Sequence, residues 1–137
     1  SGAGLPGVPL AIANPAVQYT LLDSNGKKSR FLFEVKRALM LSNVEIETVR
    51  VESWQPTRRF DSVVTRAFAD LATTLARVDH VLSDQGMVYA MKTEQAQHEI
   101  DALPDATRQV TAQNINVPGR DWPFQLLAVQ PRVEAAL

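Results

Sequence analysis

Three glycines near the amino terminus, Gly2, Gly4 and Gly7, have the spacing G-x-G-x-x-G, and an acid, Asp23, follows 21 residues after the first of them. These residue types at this spacing suit the binding of a nucleotide-like ligand. A strand-to-helix turn whose backbone must come close to a ligand needs positions without a Cβ. Asp23 closes the apolar run Tyr19-Thr20-Leu21-Leu22 and so stands at the carboxyl end of an expected strand. A carboxylate there can accept hydrogen bonds from both hydroxyls of a ribose. A helix is expected to start at Leu5 or Pro6, because Pro suits a first helical turn, where its missing N–H is not needed. The N–H groups of that turn could hold a carboxylate or phosphate. A flexible Gly/Pro-rich terminus has the same composition, and Asp23 is the residue that argues against it. The glycine pattern ordinarily follows a strand, so an apolar strand is expected upstream of Ser1, and the chain reads as a fragment.

Other chemistries find little support. Cysteine is absent, which removes disulfides, cysteine metal sites, iron–sulfur clusters and thiol nucleophiles together. His80 and His98 are far apart in sequence, so no metal site is expected. The net charge is −1, so a nucleic-acid partner would have to meet a local basic patch and not a global field. The chain has 137 residues, 45% hydrophobic and 21% charged, which suits a single domain, 1–137, with a real core. No apolar run is long enough to span a membrane and no signal peptide is visible, so no membrane partner is expected.

The elements that must position these residues alternate. Pro6–Ala13 reads as a short helix stopped by Asn14-Pro15, and Val17–Asp23 as a strand. Ser24-Asn25-Gly26 is a turn and helix cap, followed by an amphipathic helix over Lys27–Leu41. Ser42-Asn43 ends that helix, and Val44–Val51 is the next strand. After a loop, Phe60–Arg66 is a strand and Ala67–Leu82 a helix. Ser83-Asp84-Gln85-Gly86 reads as a turn, Met87–Lys92 as a strand and Glu94–Leu103 as a polar, exposed helix ended by Pro104. Arg108–Val117 and Phe124–Gln130 are too closely spaced for a crossover helix and are expected to form an antiparallel hairpin. The result is an α/β fold: a mostly parallel sheet with helices on both faces and one antiparallel strand. Ligands of such sheets bind at the carboxyl ends of the strands, and Asp23, Val51-Glu52, Arg66 and Lys92 all fall at expected strand ends.

Several stretches carry a family resemblance. Ser1–Leu10, then Leu21-Leu22-Asp23-Ser24 with Gly26-Lys27 and Arg30-Phe31-Leu32, resemble the bacterial 16S ribosomal RNA guanine-N7 methyltransferases of the glucose-inhibited division protein B family. Arg50-Val51-Glu52, Phe60-Asp61, Thr65-Arg66-Ala67-Phe68-Ala69 and Ala90-Met91-Lys92 add to the match, which runs to about Gln130. The resemblance implies a Rossmann-like class I methyltransferase fold, S-adenosylmethionine as cofactor, and methylation of N7 of one guanine in the 530 loop of 16S rRNA within the small ribosomal subunit. It also implies a cytoplasmic location. Family members have extra N-terminal helices and the first sheet strand ahead of the position of Ser1, and usually Gly where this chain has Thr93. By the resemblance, Gly2, Gly4 and Leu5 line the methionine side of the cofactor and Asp23 is the ribose-binding acid. Val51 and Glu52 lie beside the adenine, and Arg66 contacts the cofactor at the lip facing the RNA. Arg50 and Lys92 match basic positions near the RNA entrance.

The chemistry agrees with that implication. Guanine N7 has a lone pair and no proton, so methylation there needs alignment and no general base. Cytosine C5 transfer uses a thiol, and there is none. Exocyclic-amine enzymes usually carry Asn/Asp-Pro-Pro-aromatic where this chain reads Thr65-Arg66-Ala67-Phe68. Arg66 and Lys92 are reasonable positioning residues, because Arg and Lys commonly read guanine; each also suits a surface salt bridge. Lys27, Lys28 and Arg30 are candidate RNA contacts or one solvated helix face. Trp54 and Trp122 could stack on bases or cover a core edge. Two further readings stay open: an NAD(P)-dependent oxidoreductase of Rossmann type, which the glycines and acid also suit, and an inactive RNA-binding fragment.

Overall fold

A computed structural model of the chain describes residues 4–66, 69–93, 96–103, 109–121 and 124–131. Gly2, Pro104, Arg108 and Trp122 lie outside them. The chain forms two compact units, Ser1–Trp54 and Gln55–Leu137.

The first unit contains α1 (Gly7–Ala13), β1 (Tyr19–Leu22), α2 (Gly26–Ala38) and β2 (Val44–Glu47), with a short 3₁₀ turn at Val51–Ser53. β1 and β2 pair in parallel, Tyr19 opposite Val44 and Leu22 opposite Glu47. Each element contributes to one apolar cluster: Ala11 from α1, Leu21 from β1, Leu32 from α2, then Leu41 and Val44. α2 starts where its cap dictates. The Asn25 side chain accepts from the N–H groups of Lys27 at 2.9 Å and Lys28 at 3.3 Å, satisfying two donors of the first turn. Lys36 and Arg37 occupy the last turn, where the helix dipole favours positive charge.

One buried side chain joins three segments. Asn43 Nδ2 donates to the carbonyls of Ala11 at 3.0 Å, Asn14 at 3.2 Å and Val17 at 3.0 Å. Its own carbonyl accepts from Tyr19 N at 2.8 Å. Asn43 therefore ties the end of α1 to the start of β1 and brings β1 alongside β2. Its sequence position, just after α2, suggested only a helix end.

The second unit contains β3 (Phe60–Arg66), α3 (Leu71–Val78), a 3₁₀ turn at Asp79–Val81, β4 (Leu82–Lys92), α4 (Ala96–Asp101), β5 (Gln109–Ile115) and β6 (Phe124–Gln130). The sheet order is β3-β4-β6-β5. β3 and β4 are parallel, while β6 runs antiparallel to both β4 and β5, as the hairpin expectation required. Val88 and Ala90 of β4 face Val129 and Leu127 of β6 in register, and all four are buried. α3 buries Leu71, Thr74, Leu75 and Val78, the helical spacing of one apolar stripe.

Several features differ from expectation. The strand expected over Val44–Val51 ends at Glu47, because its ladder with β1 ends there, opposite Leu22. Val51 and Glu52 therefore lie in the 3₁₀ turn and not at a strand end. The helix expected from Ala67 starts at Leu71, where Asp70 caps it, and it gives way to the 3₁₀ turn before Leu82. The turn expected at Ser83–Gly86 is an irregularity within β4: pairing passes from Phe60 opposite Leu82 to Ser62 opposite Met87. The exposed helix expected over Glu94–Leu103 instead buries Ala96 and half-buries Glu99 and Ile100. The described strands lie in two sheets of two and four strands where one sheet was expected.

Replacing Asn43 with Ala should leave the Ala11 and Val17 carbonyls short of a donor, while the Asn14 carbonyl keeps the Val17 N–H at 3.1 Å. An unsatisfied buried polar group costs about 1–3 kcal/mol. The urea midpoint should fall by an amount equivalent to about 2 kcal/mol with an unchanged m value.

Candidate functional site

In the first unit the candidate residues lie in the loop before α1, at the carboxyl end of β1, on α2 and in the turn after β2. Gly4 is buried and adopts φ +86°, a conformation that favours glycine. A Cβ there would stand 2.6 Å from Val8 Cγ2 and 3.1 Å from Leu32 Cδ2. The Gly4 carbonyl accepts from Val8 N at 2.6 Å, which fastens the loop to α1. At Gly7 a side chain would collide with Leu21, so the start of α1 lies directly on β1. Leu5, between these two contacts, is 45% exposed. α1 begins at Gly7, one residue after the later of its two expected starts.

Asp23 is the first residue past β1 and is half-buried. Its N–H donates to the Glu47 carbonyl at 3.1 Å, extending the β1–β2 ladder by one bond. Its Oδ1 accepts from Asn25 N at 2.8 Å, and Ser29 Oγ donates to its carbonyl at 3.4 Å. The carboxylate is thus oriented by the same turn that caps α2. Arg50 and Glu52 are exposed and Val51 half-buried, in a turn closed by Ser53 N to the Arg50 carbonyl at 3.0 Å and Trp54 N to the Val51 carbonyl at 3.2 Å. Lys27, Lys28 and Arg30 are exposed on α2.

In the second unit Arg66 and Lys92 end two neighbouring parallel strands, with Arg66 opposite Met91. They differ in environment. Arg66 is exposed. The Lys92 side chain is only 14% exposed, and its ammonium donates to the Ala69 carbonyl at 2.7 Å and to Glu99 Oε1 at 3.1 Å. The same Glu99 oxygen accepts from Leu71 N at 3.1 Å. Lys92 is therefore a strut joining the end of β4, the turn before α3, and α4. Beside it, Asp70 caps α3, accepting from Thr73 N at 2.9 Å and Thr73 Oγ1 at 2.8 Å. These bonds, the backbone one first, hold the Asp70 carboxyl below the usual carboxylate range, with a smaller contribution from the charge of Lys92. Among the described residues no cluster of His, Cys, Asp and Glu could hold a metal, and no helix is long and apolar enough to cross a membrane.

A family model described as rRNA small subunit methyltransferase G matches residues 1–123. The chain belongs to this family. The small subunit methyltransferase G of Nitrosococcus oceani is 42% identical over 132 residues, covering 96% of this chain and 62% of that protein. That of Saccharophagus degradans is 45% identical over 118 residues, covering 86% and 53%. The chain thus spans roughly three-fifths or less of the length of these two relatives. Among solved structures, a precorrin-6y C5,15-methyltransferase from Geobacter metallireducens superposes with a TM-score of 0.70 at 17% identity, covering 93% of this chain and 76% of that one. M. jannaschii TYW2 in complex with AdoMet gives 0.71 at 15%, covering 96% and 66%. The [4+2]-cyclase SpnF gives 0.75 at 14%, covering 97% and 73%. The fold of this family member is the Rossmann-like class I methyltransferase fold. The cyclase shows that the fold alone does not decide the reaction.

The half-buried Asp23 carboxylate, fixed at a strand's carboxyl end, fits the ribose of a nucleoside. At Gly4 the place of a Cβ is filled by Val8 and Leu32, so that glycine fixes the path of the loop beside it. Glu99 and Asp70 went unnoticed in the sequence. The signal for Asp70 was its place as a capping acid three residues before a Thr-Thr pair; Glu99 gave none, because its partners lie 7 and 28 residues away.

Breaking the strut should cost stability. Glu99→Ala leaves the Lys92 charge half-buried, for which a loss of about 3 kcal/mol is expected. The double variant Lys92→Met/Glu99→Leu should lose less than either single variant, as read by urea unfolding. Asp70 has a folded pKa below its unfolded value, so its contribution is present above about pH 4 and lost as pH falls through the folded pKa. Stability of Asp70→Asn should therefore fall less steeply than that of the parent between about pH 5 and pH 2.5, a comparison that thermal melts across pH make directly.

Proposed function

We propose that this chain is the methyl-transferring part of an rRNA guanine-N7 methyltransferase, acting on 16S rRNA of the small ribosomal subunit at its 530 loop. The observation that carries the reading is the family match, which runs through both compact units and so supports treating residues 1–137 as one methyltransferase domain. A cytoplasmic location follows from that substrate.

S-adenosylmethionine, when bound, supplies an electrophilic methyl group on a sulfonium. The chain's own task is to hold the two reactants in line and exclude water. Asp23 accepts hydrogen bonds from the ribose hydroxyls, and its bond from Asn25 N keeps the carboxylate from turning away. Gly2, Gly4 and Leu5 border the methionine part, in a loop that the Val8 N–H fastens at the Gly4 carbonyl. Val51 and Glu52 serve the adenine from the turn that follows β2. Arg66, exposed at the end of β3, orients the cofactor or the guanine. Arg50, Lys27, Lys28 and Arg30 meet phosphates. Lys92 acts by positioning, since its ammonium is occupied by Ala69 and Glu99 and holds the turn between β3 and α3. Guanine N7 offers a lone pair without a proton, so no side chain has to remove one, in keeping with a chain that lacks cysteine.

The test is calorimetric titration of S-adenosylmethionine and, separately, NAD into the chain. Binding of S-adenosylmethionine alone supports the reading; binding of NAD alone would replace it with an oxidoreductase. Asp23→Ala removes charge-assisted hydrogen bonds worth about 1.5–3 kcal/mol each, so S-adenosylmethionine affinity should fall at least tenfold. Unchanged affinity would remove Asp23 from the site.

A further inference from the structure

α2 concentrates positive charge. Lys27, Lys28, Arg30, Lys36 and Arg37 stand against one acid, Glu34, in thirteen residues, while the whole chain carries −1. The helix is held to its unit through Ser29 and Leu32, which are buried. Its outer surface carries two aromatic rings, Phe31 at 51% and Phe33 at 50% exposure. A single exposed apolar residue is ordinary. Two exposed phenylalanines among five cations on one helix are not.

The placement follows from helix geometry. Phe31 follows Lys27 by four residues and Lys28 by three; Phe33 follows Arg30 by three and precedes Arg37 by four. These are the offsets that make side chains neighbours on a helix surface. The two rings are two residues apart, about 200° around the axis, so they flank the outer face with Lys27, Arg30 and the Glu34–Arg37 ion pair between them and Lys28 beyond Phe31. Arg37 is engaged by Glu34, its Nη2 donating to Oε2 at 2.6 Å, whereas Lys27, Lys28 and Arg30 are exposed. A chain laid across α2 would meet a ring, then positive charge, then the second ring.

We infer that the outer face of α2 is a stacking platform for unpaired RNA, with Phe31 and Phe33 each taking the face of a splayed base, Lys27 and Arg30 taking the intervening phosphates and Lys28 a flanking one. Alternating rings and cations are how sequence-tolerant single-strand binders hold RNA. A duplex would use the cations and leave the rings idle. The inference rests on the rRNA-substrate reading and adds that the RNA contacting α2 is single-stranded.

The experiment is fluorescence anisotropy of a labelled, unstructured RNA of about twelve nucleotides, a size suited to single-strand sites, titrated with the full chain, its Phe31→Leu and Phe33→Leu variants, and Phe31→Trp. Leu keeps the apolar bulk but not the ring. Each Leu variant should bind the single strand about five- to tenfold more weakly, while Phe31→Trp binds at least as tightly as the parent. A duplex of the same composition should be bound equally by parent and Leu variants. Unchanged single-strand affinity in both Leu variants, equal losses on single strand and duplex, or parent binding to phosphatidylserine vesicles and not to RNA would each overturn the platform. S-adenosylmethionine titration of the same preparations separates the two readings. Intact cofactor binding with no ring effect removes the platform alone; failure of cofactor binding counts against the methyltransferase reading, whatever the rings do.

Discussion

The close approach of backbone to side chain at Gly4 and Gly7 is the constraint on which the first unit depends. Neither position has room for a Cβ: Leu21 occupies the space at Gly7, and Val8 and Leu32 occupy it at Gly4. Leu21 and Leu32 belong to the same apolar cluster. The loop ahead of α1 is therefore held by the core itself, at the end of β1 from which Asp23 emerges. The other end of α1 is fixed differently, by the buried Asn43 amide and its three carbonyls. A seven-residue helix has little stability of its own; anchoring it at both ends makes it a reliable support for the glycine loop.

The second unit solves the same problem with charge. The ends of β3 and β4 have to present Arg66 toward solvent while the turn leading to α3 stays in place. Lys92 and Glu99 hold that turn by bonding the Ala69 carbonyl and the Leu71 N–H, and Asp70 caps the helix between them. Part-buried charges of this kind contribute more to fixing one arrangement than to net stability. For the proposed transfer to guanine N7, which needs alignment and no proton transfer, a fixed arrangement is what the protein would have to supply.

Much of this was legible in the residues, and the exceptions share a cause. β3 and β6 matched their expected spans because each is a bounded run of strand-forming residues with a turn on either side. α2 was legible from Asn25 and its apolar periodicity. The expected β2 was too long because Thr48, Val49 and Val51 suit a strand, but a strand also needs a neighbour, and β1 ends at Leu22. Ser83–Gly86 has the composition of a turn, yet β4 absorbs these residues as an irregularity opposite β3. Asn43 resembled a helix stop and proved to be a buried tether. The bonds of Lys92 to Ala69 and Glu99 were not legible, because Glu99 belongs to a helix that reads as polar. In each case the deciding partner is remote in sequence, so no local pattern carries it.

Membership in the family rests on sequence, and the fold agrees with it, but a cyclase among the structural neighbours shows that the fold alone does not dictate methyl transfer. The most direct measurement is chemical. Small ribosomal subunits lacking the modification are incubated with the chain and S-adenosylmethionine, and their 16S rRNA is then treated with borohydride and aniline, which break the strand at N7-methylguanosine. The account predicts one new, cofactor-dependent break in the 530 loop, lost in the absence of S-adenosylmethionine. Methyl incorporation without strand scission, or scission scattered over many guanines, would contradict transfer to N7 of a single guanine.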